Sequence, residues 1–331
     1  TGKGKAQPLD ACIKVPGGWK FMGDMKVGDE VIAKDGSITK VNGVFPQGEK
    51  DIYRITFQDG RETECCLEHL WKIHKTNCIH QSKIVNTAEL IRLKSLANNR
   101  VYVDLIDPEI TPDVDLPIDP YVLGVLLGDG HLGKYRISLS SADQFIADEI
   151  SQKLPESLHL RKIEGTYDWN IVRKEDHRST GNWLKENLEK LDLIEKQSHD
   201  KFIPESYLMA SSAQRLALLQ GLMDTDGTIS WCNTPSFSSV SFDLASAVQY
   251  LVRSLGGLAY ITVKTPSFTY KGVKKLGKLA YQVNIRFKKP SDLFRLPRKK
   301  ELTNDNHQYS NSLRLGVENI EFVVRKQAQC I

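Results

Sequence analysis

Two carboxylates, Asp129 and Asp226, close two apolar stretches that share one pattern: Leu123-Gly124-Val125-Leu126-Leu127-Gly128-Asp129-Gly130 and Gln220-Gly221-Leu222-Met223-Asp224-Thr225-Asp226-Gly227. Aligned without a gap, Gly124 falls on Gly221 and Asp129 on Asp226, an offset of 226 − 129 = 97 residues. Two aspartates at one spot are a hard oxygen-ligand set suited to Mg²⁺, and so to in-line hydrolysis of a phosphodiester. Helix packing must bring them there. A glycine in mid-helix costs about 1 kcal/mol relative to alanine. Close approach of two helix axes offsets that cost, because a missing side chain lets the backbones come together. Packed as a pair, the helices end side by side with both aspartates.

The duplication extends beyond the helices. Tyr167-Asp168-Trp169-Asn170-Ile171-Val172-Arg173-Lys174 matches Tyr281-Gln282-Val283-Asn284-Ile285-Arg286-Phe287-Lys288 at Tyr, Asn, Ile and the closing Lys. Phe145 to Leu154 and Ala245 to Leu255 supply a helix after the Asp-Gly in each half. Residues 116–296 therefore read as an α+β domain of two pseudo-two-fold halves, a saddle whose sheets can lie on double-stranded DNA. Lys174 and Lys288, matched by the repeat, are candidates for polarising water or stabilising the transition state. A basic run through Lys271, Lys274, Lys275, Lys278, Lys288, Lys289, Arg295, Arg298, Lys299 and Lys300, interleaved with Phe268, Tyr270 and Tyr281, is suited to a phosphate backbone or to a solvated hairpin face.

The flanks have a different character. Thr1-Gly2-Lys3-Gly4-Lys5 resembles the tail of a phosphate-binding loop, but Ala6 stands where Ser or Thr is required, and Pro8 cannot continue the helix such a loop opens. Something has been inserted into the loop, with its junction at Lys5–Ala6 and Pro8 as the runner-up start. Residues 6–115 read as short strands and turns, with Tyr53 to Gln58 alternating at period two before the Asp59-Gly60 turn. The proline- and acid-rich stretch from Asp107 to Pro120 is a linker. After Arg298-Lys299-Lys300 the chain returns to β character over 297–331 and ends mid-strand, an edge that calls for a partner strand.

Composition sets the outer bounds. The chain has 331 residues, enough for two or three cores. Its net charge of +4 does not by itself point to nucleic acid. No apolar run reaches the roughly 20 residues that span a bilayer, and no signal-peptide core is present, so a cytoplasmic monomer is expected, in a bacterial, archaeal or phage host. Cys12, Cys65, Cys66, Cys78, Cys232 and Cys330 lack disulfide-framework or zinc spacing and read as free thiols, at least one of them reactive.

The paired helices resemble the LAGLIDADG homing endonucleases, and Asp119-Pro120-Tyr121-Val122-Leu123-Gly124 leading into Gly128-Asp129-Gly130 is similar to the form found inside inteins. The flanks resemble the split halves of an intein splicing domain, an all-β Hint fold interrupted by the endonuclease. That resemblance implies self-splicing together with Mg²⁺-dependent cleavage of a DNA site. Inteins commonly begin with Cys or Ser, and Ala6 departs from this. The departure resembles the class 3 inteins, which use a Trp, Cys and Thr set instead. Trp71 matches the Trp, two residues after the block histidine His69, and Cys330 matches the Cys, with the Thr beyond Ile331. The resemblance implies that Cys330 attacks the Lys5–Ala6 carbonyl to give a branched thioester, while His69 protonates the departing amine or distorts the amide. Family members commonly have Thr where Cys66 stands. The block with penultimate His and terminal Asn is absent, so splicing needs a missing C-terminal strand, in cis or trans. The implied partners are a DNA target and flanking host segments, a P-loop ATPase by the loop tail. Two alternatives stay open: a DNA-binding intein with an inactive nuclease, and a conventional intein whose first Cys is replaced by Ala.

Overall fold

The computed structural model describes residues 5–75, 81–96, 100–177, 181–270, 273–306 and 313–331, without the side chains of 177, 268–270 and 273–274. Thr1 to Gly4, Cys78 and Lys271 lie outside the described residues, as do the side chains of Phe268, Tyr270 and Lys274. The chain forms two compact units, Thr1–Thr111 with Asn311–Ile331, and Pro112–Ser310. The second unit runs past Leu296, where composition placed its end. Pro297–Lys300 is a helical turn of that unit, and buried Lys299 ties it to the second repeat helix.

Among its described residues the discontinuous unit is built of strands and loops, with one α-helix, Thr87–Ser95, and a short 3-10 turn. Its main sheet runs in the order Glu62–Cys66, Phe45–Phe57, Arg314–Cys330, Val101–Asp104, Leu70–Lys75, Ser82–Asn86, and Gln7–Pro8 pairs with Arg314–Cys330 at its far end. The last segment, expected to have β character, is one strand of 17 residues, Arg314–Cys330. It pairs antiparallel with Phe45–Phe57 through three register shifts, at Val317/Asn319, Phe322/Val324 and Ala328/Gln329. Such bulges twist a long strand enough to curl the sheet. A linear stretch near each end of the sequence thus becomes one fold, cut by the other unit.

In the second unit, each half is a four-stranded antiparallel sheet with its helices: Gly130–Leu132, Ile137–Ser140, Asp168–Arg173, Leu158–Lys162 in one, and Gly227–Ile229, Pro235–Ser239, Ala280–Arg286, Leu258–Lys264 in the other. Matched registers confirm the duplication: Gly130 faces Leu139, which faces Trp169, as Gly227 faces Phe237, which faces Val283. A hairpin, Ser267–Tyr270 with Val273–Leu276, is added in the second half only.

The two repeat helices are Pro120–Asp129 and Ser212–Asp226. The first is capped by the Asp119 carboxylate accepting from Tyr121 and Val122 N–H groups, with Pro120 in the first turn, where its missing donor does no harm. The second begins with a capping box, Ser211 with Gln214. Their glycines face each other. A Cβ on Gly221 would come 3.0 Å from Gly124 Cα and collide with the Tyr121 carbonyl oxygen, and one on Gly124 would come 3.1 Å from Gly221 Cα and collide with Leu218 O. Both obstacles are backbone and cannot rotate away. Gly221→Ala is therefore expected to destabilise this unit by about 3 kcal/mol, through forced separation of the helices. A urea titration monitored by circular dichroism measures it, and an unchanged midpoint contradicts the close approach.

One buried position sets the halves apart in charge. Asp224 stands where the first repeat has Leu127, since 224 − 97 = 127. Its carboxylate accepts from the Tyr121 hydroxyl at 2.9 Å and from the Arg295 and Leu296 N–H groups at 3.1 Å. Burial pushes this carboxyl up, and the donors oppose that. The network satisfies a charge that would otherwise be prohibitive in a core.

Candidate functional site

The first candidate site lies at the C-terminal ends of the repeat helices. Asp129 reaches the exposed face and Asp226 is half-buried, and an Asp226 carboxylate oxygen lies 3.4 Å from where a Gly128 Cβ would stand. Burial raises the Asp226 carboxyl to about 6, the Asp129 charge adding to the rise and Lys201 and Lys299 opposing it. The Asp129 carboxyl is also raised, by the water its neighbours exclude, against the charges of Lys299 and Lys201.

From the sequence Lys201 carries no role, and Lys299 reads only as part of the basic run. Lys201 Nζ donates to the carbonyls of Leu126, Gly128 and Gly130 at 3.1, 3.2 and 2.8 Å. Lys299 Nζ donates to those of Met223, Asp224, Thr225 and Gly227 at 2.8, 2.7, 2.9 and 2.6 Å. Each closes the last turn of one repeat helix, where carbonyls have no helical partner and the dipole is negative. Burial lowers both ammonium groups to about 8, against the nearby carboxylates. The repeat held the signal: Lys299 follows Lys201 by 98 residues, one more than the 97 between the aspartates.

Lys174 and Lys288 are not brought to the carboxylates. Lys174 follows the end of Asp168–Arg173, whose Trp169 lies level with Gly130, and Lys288 is exposed beyond the end of Ala280–Arg286. The matched strands run away from the helix ends, so their closing residues are remote. Three members of the basic run are also occupied: Arg295 pairs with Glu149 at 3.1 Å, Arg298 with Asp143 at 2.7 Å, and Lys299 is buried on carbonyls. Lys201→Met is expected to lower the melting temperature of this unit by several degrees, since it orphans three carbonyls. Scanning calorimetry checks it, and an unaltered transition contradicts the capping role.

Among the described residues no group of three or more His, Cys, Asp or Glu gathers to hold a metal ion. The donor set is the Asp129–Asp226 pair. It fits Mg²⁺, which is commonly held by one or two carboxylates, with water and substrate phosphate completing its shell.

The second candidate site is in the discontinuous unit. Gln7 pairs with Gln329 and Pro8 with Ala328, so by the same register Ala6 falls opposite Cys330. Ala6, Ile52, Cys66, Ala328 and Cys330 form one buried cluster, and the Ala6 carbonyl accepts from Cys66 N–H at 3.1 Å. Lys5 and Cys330 share the lining of a pocket of about 420 Å³ with Lys40, Phe45 and Ile331. Burial lowers the His69 imidazole; a hydrogen bond with the Lys5 backbone opposes this and the Lys5 charge adds to it. His69 Nδ1 is buried with no hydrogen-bond partner among the described residues. The Trp71 ring lies 5.0 Å from that of His69, tilted by 56°. Lys5 and Ala6 just before Gln7–Pro8, His69 just before Leu70–Lys75, Trp71 within that strand and Cys330 at the end of Arg314–Cys330 are thus drawn into one neighbourhood. Cys12, Cys65, Cys66, Cys232 and Cys330 are free.

Residues 213–287 match the LAGLIDADG-like domain family. The match lies in the unit that interrupts the discontinuous sheet, an arrangement that supports an intein, a splicing domain with an inserted LAGLIDADG domain. The chain is similar to the replicative DNA helicase DnaB of Mycobacterium intracellulare, 28% identical over 327 residues, which cover 90% of this chain and 50% of that protein. The chain thus spans half the length of that relative. Among solved structures it is similar to the gp41-1 intein, at 31% identity over 25% of this chain and 59% of that one, with a TM-score of 0.21. It is also similar to I-DmoI in complex with DNA and Ca, at 15% identity over 56% of this chain and 95% of that one, with a TM-score of 0.32. No helix among the described residues is long and apolar enough to cross a membrane.

Proposed function

We propose that the chain is a class 3-like intein that opens the Lys5–Ala6 bond with Cys330 and also carries a metal-dependent, site-specific DNA endonuclease. The observation that carries the splicing reading is the register placing Ala6 opposite Cys330, with His69 on the Lys5 backbone. In the first step Cys330 Sγ bonds to the Lys5 carbonyl carbon, the C–N bond to Ala6 breaks, and the thiol proton ends on the released Ala6 amine. His69, held neutral by burial, is suited to move that proton. Trp71 packs against its ring and limits how it turns. In splicing of this kind the acyl group next passes to a Ser or Thr hydroxyl, and cyclisation of an Asn frees the second junction. The similarity to a DnaB helicase supports a helicase of that type, a P-loop ATPase, as the host, with residues 1–5 the tail of its phosphate-binding loop.

In the endonuclease, Asp129 and Asp226 would hold the metal. Bound there, Mg²⁺ supplies activation of water and charge neutralisation at the scissile phosphate. Lys201 and Lys299 fix the two helix ends, and their charges favour the anionic transition state. The sheet faces meet the grooves of a DNA duplex. The test is incubation with Mg²⁺ of a duplex carrying the uninterrupted host junction. Double-strand cutting that needs the metal is expected. Binding with neither nicking nor cutting would replace the nuclease by a DNA-binding domain.

A further inference from the structure

Thr87 is fully buried at the start of the helix Thr87–Ser95, and nothing above gives its hydroxyl a part in the reaction. Every hydrogen-bonding position of that hydroxyl is engaged. Thr87 Oγ1 accepts from the Trp71 indole Nε1–H at 3.0 Å and donates to the His69 main-chain carbonyl at 3.3 Å, with Cys65 Sγ also 3.3 Å away. A threonine hydroxyl has one proton to give and two lone pairs, so one donation and two acceptances exhaust it. The Thr87 backbone N–H donates to the same His69 carbonyl at 3.0 Å. One residue therefore grips the backbone of His69 and the polar edge of Trp71, whose rings lie 5.0 Å apart.

We propose that Thr87 is a positioning residue for opening of the Lys5–Ala6 bond, holding Trp71 and His69 in one fixed arrangement against the Lys5 carbonyl. The inference rests on the splicing reading above. A threonine kept only for the helix start would need its backbone and a small side chain. It would not need the indole contact, because the helix is capped by Asn86, whose side chain accepts from Glu89 N–H at 2.8 Å. A network with every partner satisfied fixes orientation more strictly than any one of its bonds.

The full chain is incubated with dithiothreitol, and release of residues 1–5 is followed by intact mass. Thr87→Val, close in shape and without the hydroxyl, is expected to slow release about ten-fold or more, and Thr87→Ser to recover most of the rate. A second readout does not depend on turnover. In a Cys330→Ala background, NMR reports the Trp71 indole N–H resonance and the His69 titration midpoint. Both are expected to move in Thr87→Val and to stay close to the parent in Thr87→Ser. Release by Thr87→Val at the parent rate, or by Thr87→Ser as slowly as by Thr87→Val, overturns the role. Should Thr87→Val fail to fold, Trp71→Phe removes the same hydrogen bond from the other side, and an unmoved His69 midpoint in that variant overturns it. Should the parent chain release nothing, the splicing reading fails while the NMR comparison still decides whether Thr87 sets the two rings.

Discussion

Asp226→Asn is expected to abolish DNA cleavage and, in metal-free buffer at pH 8, to raise the melting temperature of the Pro112–Ser310 unit. The two effects share one cause. The Asp226 carboxyl is raised from its usual 3.8 to about 6, first by burial and then by the Asp129 charge. A group whose folded value is raised contributes stability below the unfolded value and loses it as pH rises through the folded one. Here that contribution is complete below 3.8 and gone above about 6. At pH 8 the charged carboxylate therefore works against the fold by roughly 2–3 kcal/mol, and an amide of the same shape relieves it, worth about 5 °C in a unit of this size. The same amide removes half of the metal-binding charge, so cleavage should fall roughly 1,000-fold or more. Mg²⁺ should stabilise the parent unit at pH 8, do so much less below pH 6, and have little effect on Asp226→Asn. Calorimetry with and without Mg²⁺ at the two pH values measures all three. A lower melting temperature for Asp226→Asn without metal contradicts the strain assigned to the pair.

Cys330→Ala is expected to leave the Lys5–Ala6 bond intact under conditions where the parent opens it, a loss of roughly 1,000-fold or more, because no other thiol can take over. The thiolate is the nucleophile, and since Cys65, Cys66 and Cys330 are all buried, position relative to Lys5 rather than burial sets Cys330 apart. Cys65 is pushed to about 12 by burial. Cys66 is raised by burial and by its hydrogen bond to Glu68. Both stand on the other side of Ala6 from the final strand, whereas Cys330 lines the pocket that also holds Lys5. Dithiothreitol-driven loss of residues 1–5, followed by intact mass, gives the rates. Cleavage at the parent rate in Cys330→Ala removes this cysteine from the mechanism.

The repeat helices were legible in the sequence because their glycines repeat a costly choice, and the structure shows the close approach that explains it. The matched strands were legible for the same reason. Which lysines accompany the aspartates was not. The aligned strands point to Lys174 and Lys288, and a strand's last residue stands far from where its neighbour meets the helix. Lys201 sits in an irregular segment and Lys299 in a single helical turn, and only their near-equal spacing betrays them. The end of the inserted unit was misplaced because Arg295, Arg298 and Lys299 look like a basic surface run, while in the fold they pair with Glu149, Asp143 and helix carbonyls. In the flanks, Cys330 and Ala6 lie 324 residues apart, and no local pattern gives the register that makes them neighbours. Thr87 was hidden for a similar reason: its partners lie 16 and 18 residues back, across a strand pairing.

The claim on which the rest depends is that the acyl group leaves Ala6 for Cys330. The parent chain, quenched in acid before any thiol is added, digested and fragmented by mass spectrometry, tests it directly. The expected result is a peptide containing Cys330 that carries the mass of residues 1–5 as a hydroxylamine-labile thioester, together with a free amine on Ala6. That acyl mass on Cys66 or Cys65, or an Ala6 amine freed with no acylated cysteine, would contradict it.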